Sequence, residues 1–334
     1  MEDLNAEEDE LAKILRNELC YPNGIEKNPK ECAVIFHKLG LLYKRRYNIE
    51  PDKIFLIQSA ALMNAALVRK PDNTKTVQND IQELYVYVLR QANVQTKNNN
   101  HLDMVTERVK TEVNEMREWV DNELFLLRII PDNAKGDELL RLEKEKISKI
   151  MMIQEKTTAS YRAIMKNLDR GCLDVLRKVP CKYTLAGMGS LSRNEITPYS
   201  DFENIIVLEE GAQDRKDYEE VLEYFRWFAV IFQLVLINIG ETILPSVAIP
   251  SLNNFTIKGG DWFFDAYTTR GISFDGLMPQ ACKSPLGRQR KTEAKPFTTE
   301  LIKPVSLMLA YLESSRDVYD DFESRLDRIL EYKV

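Results

Sequence analysis

The sequence predicts an α+β protein, with an N-terminal helical bundle over residues 1–155 followed by a mixed β-sheet unit with flanking helices over 156–334. Three observations carry this reading. A chain of 334 residues exceeds the usual length of one compact domain. The first half repeats apolar residues at helical spacing between breaker clusters, and after Gly171 short apolar runs bounded by turn residues take over. With 44% hydrophobic and 29% charged residues, the balance is that of a globular chain.

Five segments of the first half read as helices: 31–46, 51–69, 74–92, 103–128 and 137–168. Pro71-Asp72-Asn73, the run Asn98-Asn99-Asn100 and Pro131-Asp132-Asn133 separate them. Ala33, Phe36, Leu39, Leu42 and Tyr43 mark one apolar face, with Lys38, Lys44 and Arg45 off it. The pair CAVIFHKLGLLYKRR and KIFLIQSAALMNAALVRK resembles a tetratricopeptide-type helical pair, with Ala60, Ala61, Ala65 and Ala66 where close helix packing needs small residues. The resemblance covers about one and a half repeats, against roughly three for an independent array, so a generic bundle is the other reading.

In the second half, 183–188, 204–208, 261–268 and 272–274 read as strands, and 218–239, 299–312 and 318–332 as helices. The apolar stretch WFAVIFQLVLINI at 227–239 falls short of the roughly 20 residues a membrane span needs, so it reads as a buried element.

Charge and cysteine usage exclude several function classes. A net charge of -6 argues against broad binding to nucleic acid, while leaving room for a local basic patch. The five cysteines, Cys20, Cys32, Cys172, Cys181 and Cys282, are scattered and show no paired metal-ligand spacing. His37 and His101 alone give little material for a histidine metal centre or a Ser-His-Asp triad. The start MEDLNAEEDELAK is acidic where a secretory signal needs a basic end and an apolar core, and the expected location is cytoplasmic. The chain ends after the helical segment DFESRLDRILEYKV with no stop signal, as a piece of a longer protein would.

The chemistry-bearing stretch is LAGMGSLSRNEITPYSDFENIIVL, 185–208. A strand runs into Gly187-Met188-Gly189-Ser190, the chain loops out, and it returns in a second strand expected to carry Asp201 and Glu203. Side chains two apart on a strand share a face, so both carboxylates aim at one point. Two carboxylates about 4 Å apart repel by roughly 4 kcal/mol at an effective dielectric near 20. A divalent cation removes that cost, and Mg²⁺ is commonly held by one or two carboxylates together with substrate phosphates. Gly189 lets backbone N–H groups approach a phosphate, and Ser190 can donate its hydroxyl.

This pattern resembles the signature of the DNA-polymerase-β nucleotidyltransferase superfamily. It is closest to the branch of PII-protein uridylyltransferases, glutamine-synthetase adenylyltransferases and the nucleotidyltransferase-like proteins found beside bacterial CBS domains. The matching positions are Gly189, Ser190, Arg193, Glu195, Asp201, Glu203 and Asn204. The branch usually has aspartate where Glu203 stands, which bears on the fine geometry of a metal site. The resemblance covers about 130 residues, from around Tyr161 to around Gly287, and leaves the first 150 outside.

The resemblance implies Mg²⁺ or Mn²⁺ held by Asp201, Glu203 and a third carboxylate, with an NTP such as ATP as substrate. FDGLMPQACKSPLG is similar to the adenylyltransferase segment that carries the third acid, which favours Asp275 over Asp265. Gly189 and Ser190 would hold the departing phosphates, and Arg193 the triphosphate, unless Arg193 and Glu195 form only a surface ion pair. Lys283, Arg288, Arg290, Lys291 and Lys295 form a basic run that suits either a triphosphate or a solvated loop. The acceptor is a hydroxyl, and the helical half suits recognition of a protein acceptor. The rival from another class is an adaptor, a helical interaction module fused to a nucleotidyltransferase-like domain that no longer turns over.

Overall fold

A computed structural model describes residues 2–94, 101–127, 129–176, 178–254, 259–273, 284–287, 289–292, 295–298 and 300–314. All five helices expected in the first half form, preceded by one more. Helix α1 (Glu2–Ile14) continues into a π-helical turn at Leu15–Leu19. Its acidic sequence masked an apolar stripe in which Leu4 and Leu11 are buried. Helix α2 (Pro29–Ile49) starts where Pro29 needs no N–H donor, and the Asn28 side chain accepts from Lys30 N at 3.2 Å. It ends just ahead of Pro51, which disfavours helix in the residue before it.

Helix α3 (Ile54–Val68) packs tightly on α2. Ser59 Oγ donates to Gly40 O at 2.7 Å, and a Cβ at Gly40 would crowd the Met63 side chain, so glycine is what permits this approach. Ala60, Ala61, Ala65 and Ala66 are all buried. Helices α4 (Thr74–Gln91), α5 (His101–Phe125) and α6 (Gly136–Val175) complete this part. Position 155 lies inside α6, and a single hydrophobic cluster runs from Leu4 to Ile302.

The second part contains β1 (Tyr183–Gly187), the one-turn helix α7 (Gly189–Ser192), β2 (Asn204–Leu208) and α8 (Tyr218–Asn238). After these come the hairpin β3 (Gln289–Thr292) and β4 (Lys295–Thr298), strand β5 (Ile302–Pro304) and α9 (Val305–Ser314). The main sheet has the order β1-β2-β5, antiparallel between β1 and β2 and parallel between β2 and β5. The stretch WFAVIFQLVLINI lies in α8 up to Asn238, buried almost all round, which is the pattern of a helix at the centre of a core. Tyr85 Oη donates to Leu234 O at 3.2 Å, and Asn64 Nδ2 to Asn238 Oδ1 at 2.5 Å, tying α4 and α3 to α8. Among the described residues no helix is long and apolar enough to cross a membrane.

Two expectations need correction. Residues 261–273 form no strand beyond a single bridge between Asn253 and Asp261. Two rings of this segment pack on a helix and a loop instead, while Phe264 and Tyr267 are exposed: Phe263 meets the Phe36 ring edge-on at 5.4 Å, and the Trp262 indole donates to Ser251 O at 2.8 Å. The helix expected over 299–312 begins only at Val305, since residues 302–304 join the sheet as β5. Cys282, Lys283, Arg288 and the helix expected over 318–332 lie outside the described residues.

One buried charge cluster fastens the 261–273 loop to the helices. Arg69 lies with its side chain fully buried between Glu26 and Asp265, at 2.5 Å from Glu26 Oε1 and 2.8 Å from Asp265 Oδ1. It also lies 4.6 Å from the centre of the Phe36 ring. The Asp265 carboxylate accepts in addition from Thr268 N at 3.1 Å and Leu244 N at 3.2 Å. Burial opposes its ionisation, but Arg69 and these amides prevail and hold it below the ordinary carboxylate range. Asp265 is therefore a structural anchor. Replacing Arg69 with Met leaves two buried carboxylates without their cation, and we expect a loss of about 3–5 kcal/mol in urea unfolding. A loss under about 1 kcal/mol would show that the cluster is dispensable.

Candidate active site

The site forms where β1 turns into α7 and the chain returns toward β2. Leu191, buried in α7, folds back over Gly187, where any Cβ would strike its side chain. Gly189 has φ +54°, a left-handed conformation that glycine adopts without strain. A Cβ at Gly189 would also overlap the Glu203 carboxylate, so the carboxylate rests directly against the glycine backbone. Ser190 is half-buried beside it, and its carbonyl accepts from Glu195 N at 2.8 Å.

The loop from 193 to 200 is held at several points. Arg193 Nε donates to Glu195 Oε2 at 2.8 Å, with both side chains 55% exposed, so the pair adds little stability. Arg162 Nη2 reaches Asn194 Oδ1 at 3.0 Å, and Ile196 is buried. Thr197 N donates to Ser200 Oγ at 2.9 Å, which tightens the turn ahead of the acids.

Asp201 and Glu203 do not lie within β2, as expected, but in the extended residues that lead into it. Backbone bonds flank them: Phe202 N donates to Ser273 O at 2.5 Å, and Met188 N to Glu203 O at 2.8 Å. The alternation of a strand nevertheless holds. Phe202, Asn204, Ile206 and Leu208 are buried while Asp201, Glu203, Ile205 and Val207 are not, so the two acids share the opposite face. Phe202 fixes this phase by stacking on Tyr161 at 5.9 Å and meeting Phe232 of α8 at the same centroid distance.

Asp201 keeps access to solvent, yet partial burial and then the charge of Glu203 push its carboxyl above its ordinary value. Asp275 lies outside the described residues, and Asp265 is closed off by Arg69, so among the described residues the face carries Asp201 and Glu203. A cavity of about 460 Å³ opens along β1, lined in part by Arg162, Lys166, Asp169 and Tyr183. It borders Gly187 and Ser192 next to α7, and neither Asp201 nor Glu203 lines it.

Three residues that the sequence did not single out hold the acidic segment. Tyr161 Oη donates to Ser200 O at 3.0 Å. Arg117 of α5 forms a two-pronged pair with Glu241, at 2.5 and 2.8 Å, and its Nε donates to Pro198 O at 3.2 Å. No local motif marks these residues, because each acts on a segment tens of residues away.

The family model described as "Putative nucleotidyltransferase DUF294" matches residues 137–251, about a third of the chain. The match begins in the first turn of α6 and takes in β1, α7, Asp201, Glu203, β2 and α8. It supports a nucleotidyltransferase-type domain over this stretch. No curated protein and no solved structure matches the chain.

Gly189→Ala tests the close approach of Glu203. The substitution combines a left-handed backbone with a steric overlap, and we expect a cost of about 1–3 kcal/mol, read as a melting temperature lowered by several degrees. An unchanged melting temperature would mean that Glu203 does not rest against Gly189.

Proposed function

We propose that the protein is a nucleotidyltransferase that moves a nucleoside monophosphate from an NTP, with Mg²⁺ or Mn²⁺, to an acceptor hydroxyl. The observation that carries this reading is the placement of Asp201 and Glu203 on one face, with Glu203 against Gly189 and Asp201 raised by partial burial and then by its neighbour's charge. Such a face fits a hard divalent cation, because carboxylate oxygens are the donors Mg²⁺ prefers and the repulsion of Asp201 by Glu203 is what a cation offsets. Asp201 and Glu203 would hold it, with Asp275 as the third carboxylate; when bound, the cation neutralises charge on the triphosphate.

The other roles follow from position. The backbone at Gly189 and the Ser190 hydroxyl hold phosphate oxygens, which aligns the α-phosphate for in-line attack by the acceptor. Arg193, exposed and tethered by Glu195, swings onto the triphosphate as a charge-assisted donor. A protein acceptor is supported by the apolar surface at the end of α5 and the start of α6, where Leu124, Phe125, Leu126, Ile129, Leu140 and Ile147 are exposed.

The test couples stability to ligand. A native-state pKa raised above 3.8 means that Asp201 adds most stability when protonated, and that this is lost as pH rises through the native value. Converting Asp201 to Asn and Glu203 to Gln removes the repulsion, so at pH 7 the double variant should be at least as stable as the metal-free wild type. Mg²⁺ with NTP at one hundred times the dissociation constant should stabilise the wild type by about 2.7 kcal/mol, a melting shift of several degrees. The double variant should lose both that shift and pyrophosphate release. A wild type that does not respond, together with a destabilised double variant, would make the acids structural and favour the adaptor reading.

A further inference from the structure

The segment that carries the acids is gripped through its main chain at alternate residues. Pro198 O accepts from Arg117, Ser200 O from Tyr161, and Phe202 N donates to Ser273 O. None of these bonds takes up the Asp201 carboxylate. Two of the three grips lead to one ion pair. Arg117 and Glu241 are 12% and 14% exposed, which shields their geometry from solvent. The Arg117 guanidinium lies 4.5 Å from the centre of the Tyr199 ring and so clamps the loop from a second side. Glu241 Oε2 accepts from Ile272 N at 2.9 Å, next to the Ser273 carbonyl that holds Phe202. At Gly271 a Cβ would overlap the Glu241 carboxylate and crowd Arg117, so the chain passes there at the closest approach glycine permits. One guanidinium–carboxylate fork thus braces both strips of backbone, 198–202 and 271–273, that flank the acids.

We propose that Arg117 and Glu241 are a positioning pair for Asp201 and Glu203, so that α5 of the helical part belongs to the site. Arg117 lies outside the stretch 137–251 that matches the family model. The inference rests on the reading that the two acids hold a divalent cation. Neither member of the pair touches the cation; they act through backbone. Residues that orient metal ligands from behind commonly shift metal affinity 10–100-fold when replaced. The planar fork of arginine makes the two bonds to Glu241 and the third to Pro198 at once, which lysine cannot do.

The test is a Mn²⁺ titration of the full chain followed by electron paramagnetic resonance, with hydrogen exchange of the 199–203 amides measured alongside. Mn²⁺ binding by the wild type comes first, and its absence would sink the metal-site reading before any variant is made. Given binding, Arg117→Met should weaken Mn²⁺ at least 10-fold and speed exchange in 199–203, and Arg117→Lys should not restore either. Wild-type Mn²⁺ affinity in a folded Arg117→Met protein would overturn the positioning role while leaving the metal-site reading in place. If Arg117→Met does not fold, Glu241→Gln keeps the shape and weakens the pair; reduced Mn²⁺ affinity there upholds the inference and unchanged affinity overturns it.

Discussion

The site depends on Phe202. Asp201 and Glu203 repel one another, and nothing in their own chemistry would keep them on one face. At two residues of extended chain, roughly 7 Å, two carboxylates in an effective dielectric near 20 oppose each other by about 2 kcal/mol. The residue between them is fully buried against Tyr161 and Phe232, and burying such a ring is worth about 1.5–3 kcal/mol. The two magnitudes are comparable, so the core holds the acids in place with little to spare. That balance explains why the segment is also braced by hydrogen bonds from three directions.

Much of this was legible in the sequence. The Gly-x-Gly-Ser turn, the pairing of two acids two residues apart, and the apolar run NIIVL named the turn, the face and the strand. The helical spacing in the first half gave five helices. What misled was composition without partners: DWFFDAYT reads as a strand, but Phe263 packs on α2 and Trp262 on a nearby loop, so these two rings are placed without a ladder. Asp201 and Glu203 were assigned to β2 because alternation is visible in a sequence, whereas the neighbours that turn an extended chain into a ladder are not. Arg117 and Glu241 were illegible for a simpler reason. An arginine on an amphipathic helix and a glutamate after Gly240 look like solvated charges until the fold places them together.

The same logic separates Asp265, one of the two acids weighed for the third position, from Asp201. Asp265 has an arginine and backbone donors around its carboxylate, and burial that would otherwise raise its pKa is overruled by them. Asp201 has burial and a like charge, and both push upward. A carboxylate whose surroundings already satisfy it holds structure, and one left in electrostatic deficit suits a cation. The contrast comes from environment and not from residue type, and it is the fold that sets that environment.

The matched stretch 137–251 contains the acids but not all that shapes them. Phe202 N is satisfied by Ser273 O, Ile206 N by Leu301 O, and β2 is flanked by β5 at 302–304, all beyond residue 251. Pro198 is held by Arg117, before residue 137. Cut to its matched limits, the unit would leave the second edge of β2 without its ladder and the acidic loop without its brace. The chain on either side therefore supplies more than flanking helices. It closes the backbone hydrogen bonds that keep two like charges facing the same way, and a nucleotidyltransferase-type motif needs that closure to become a site.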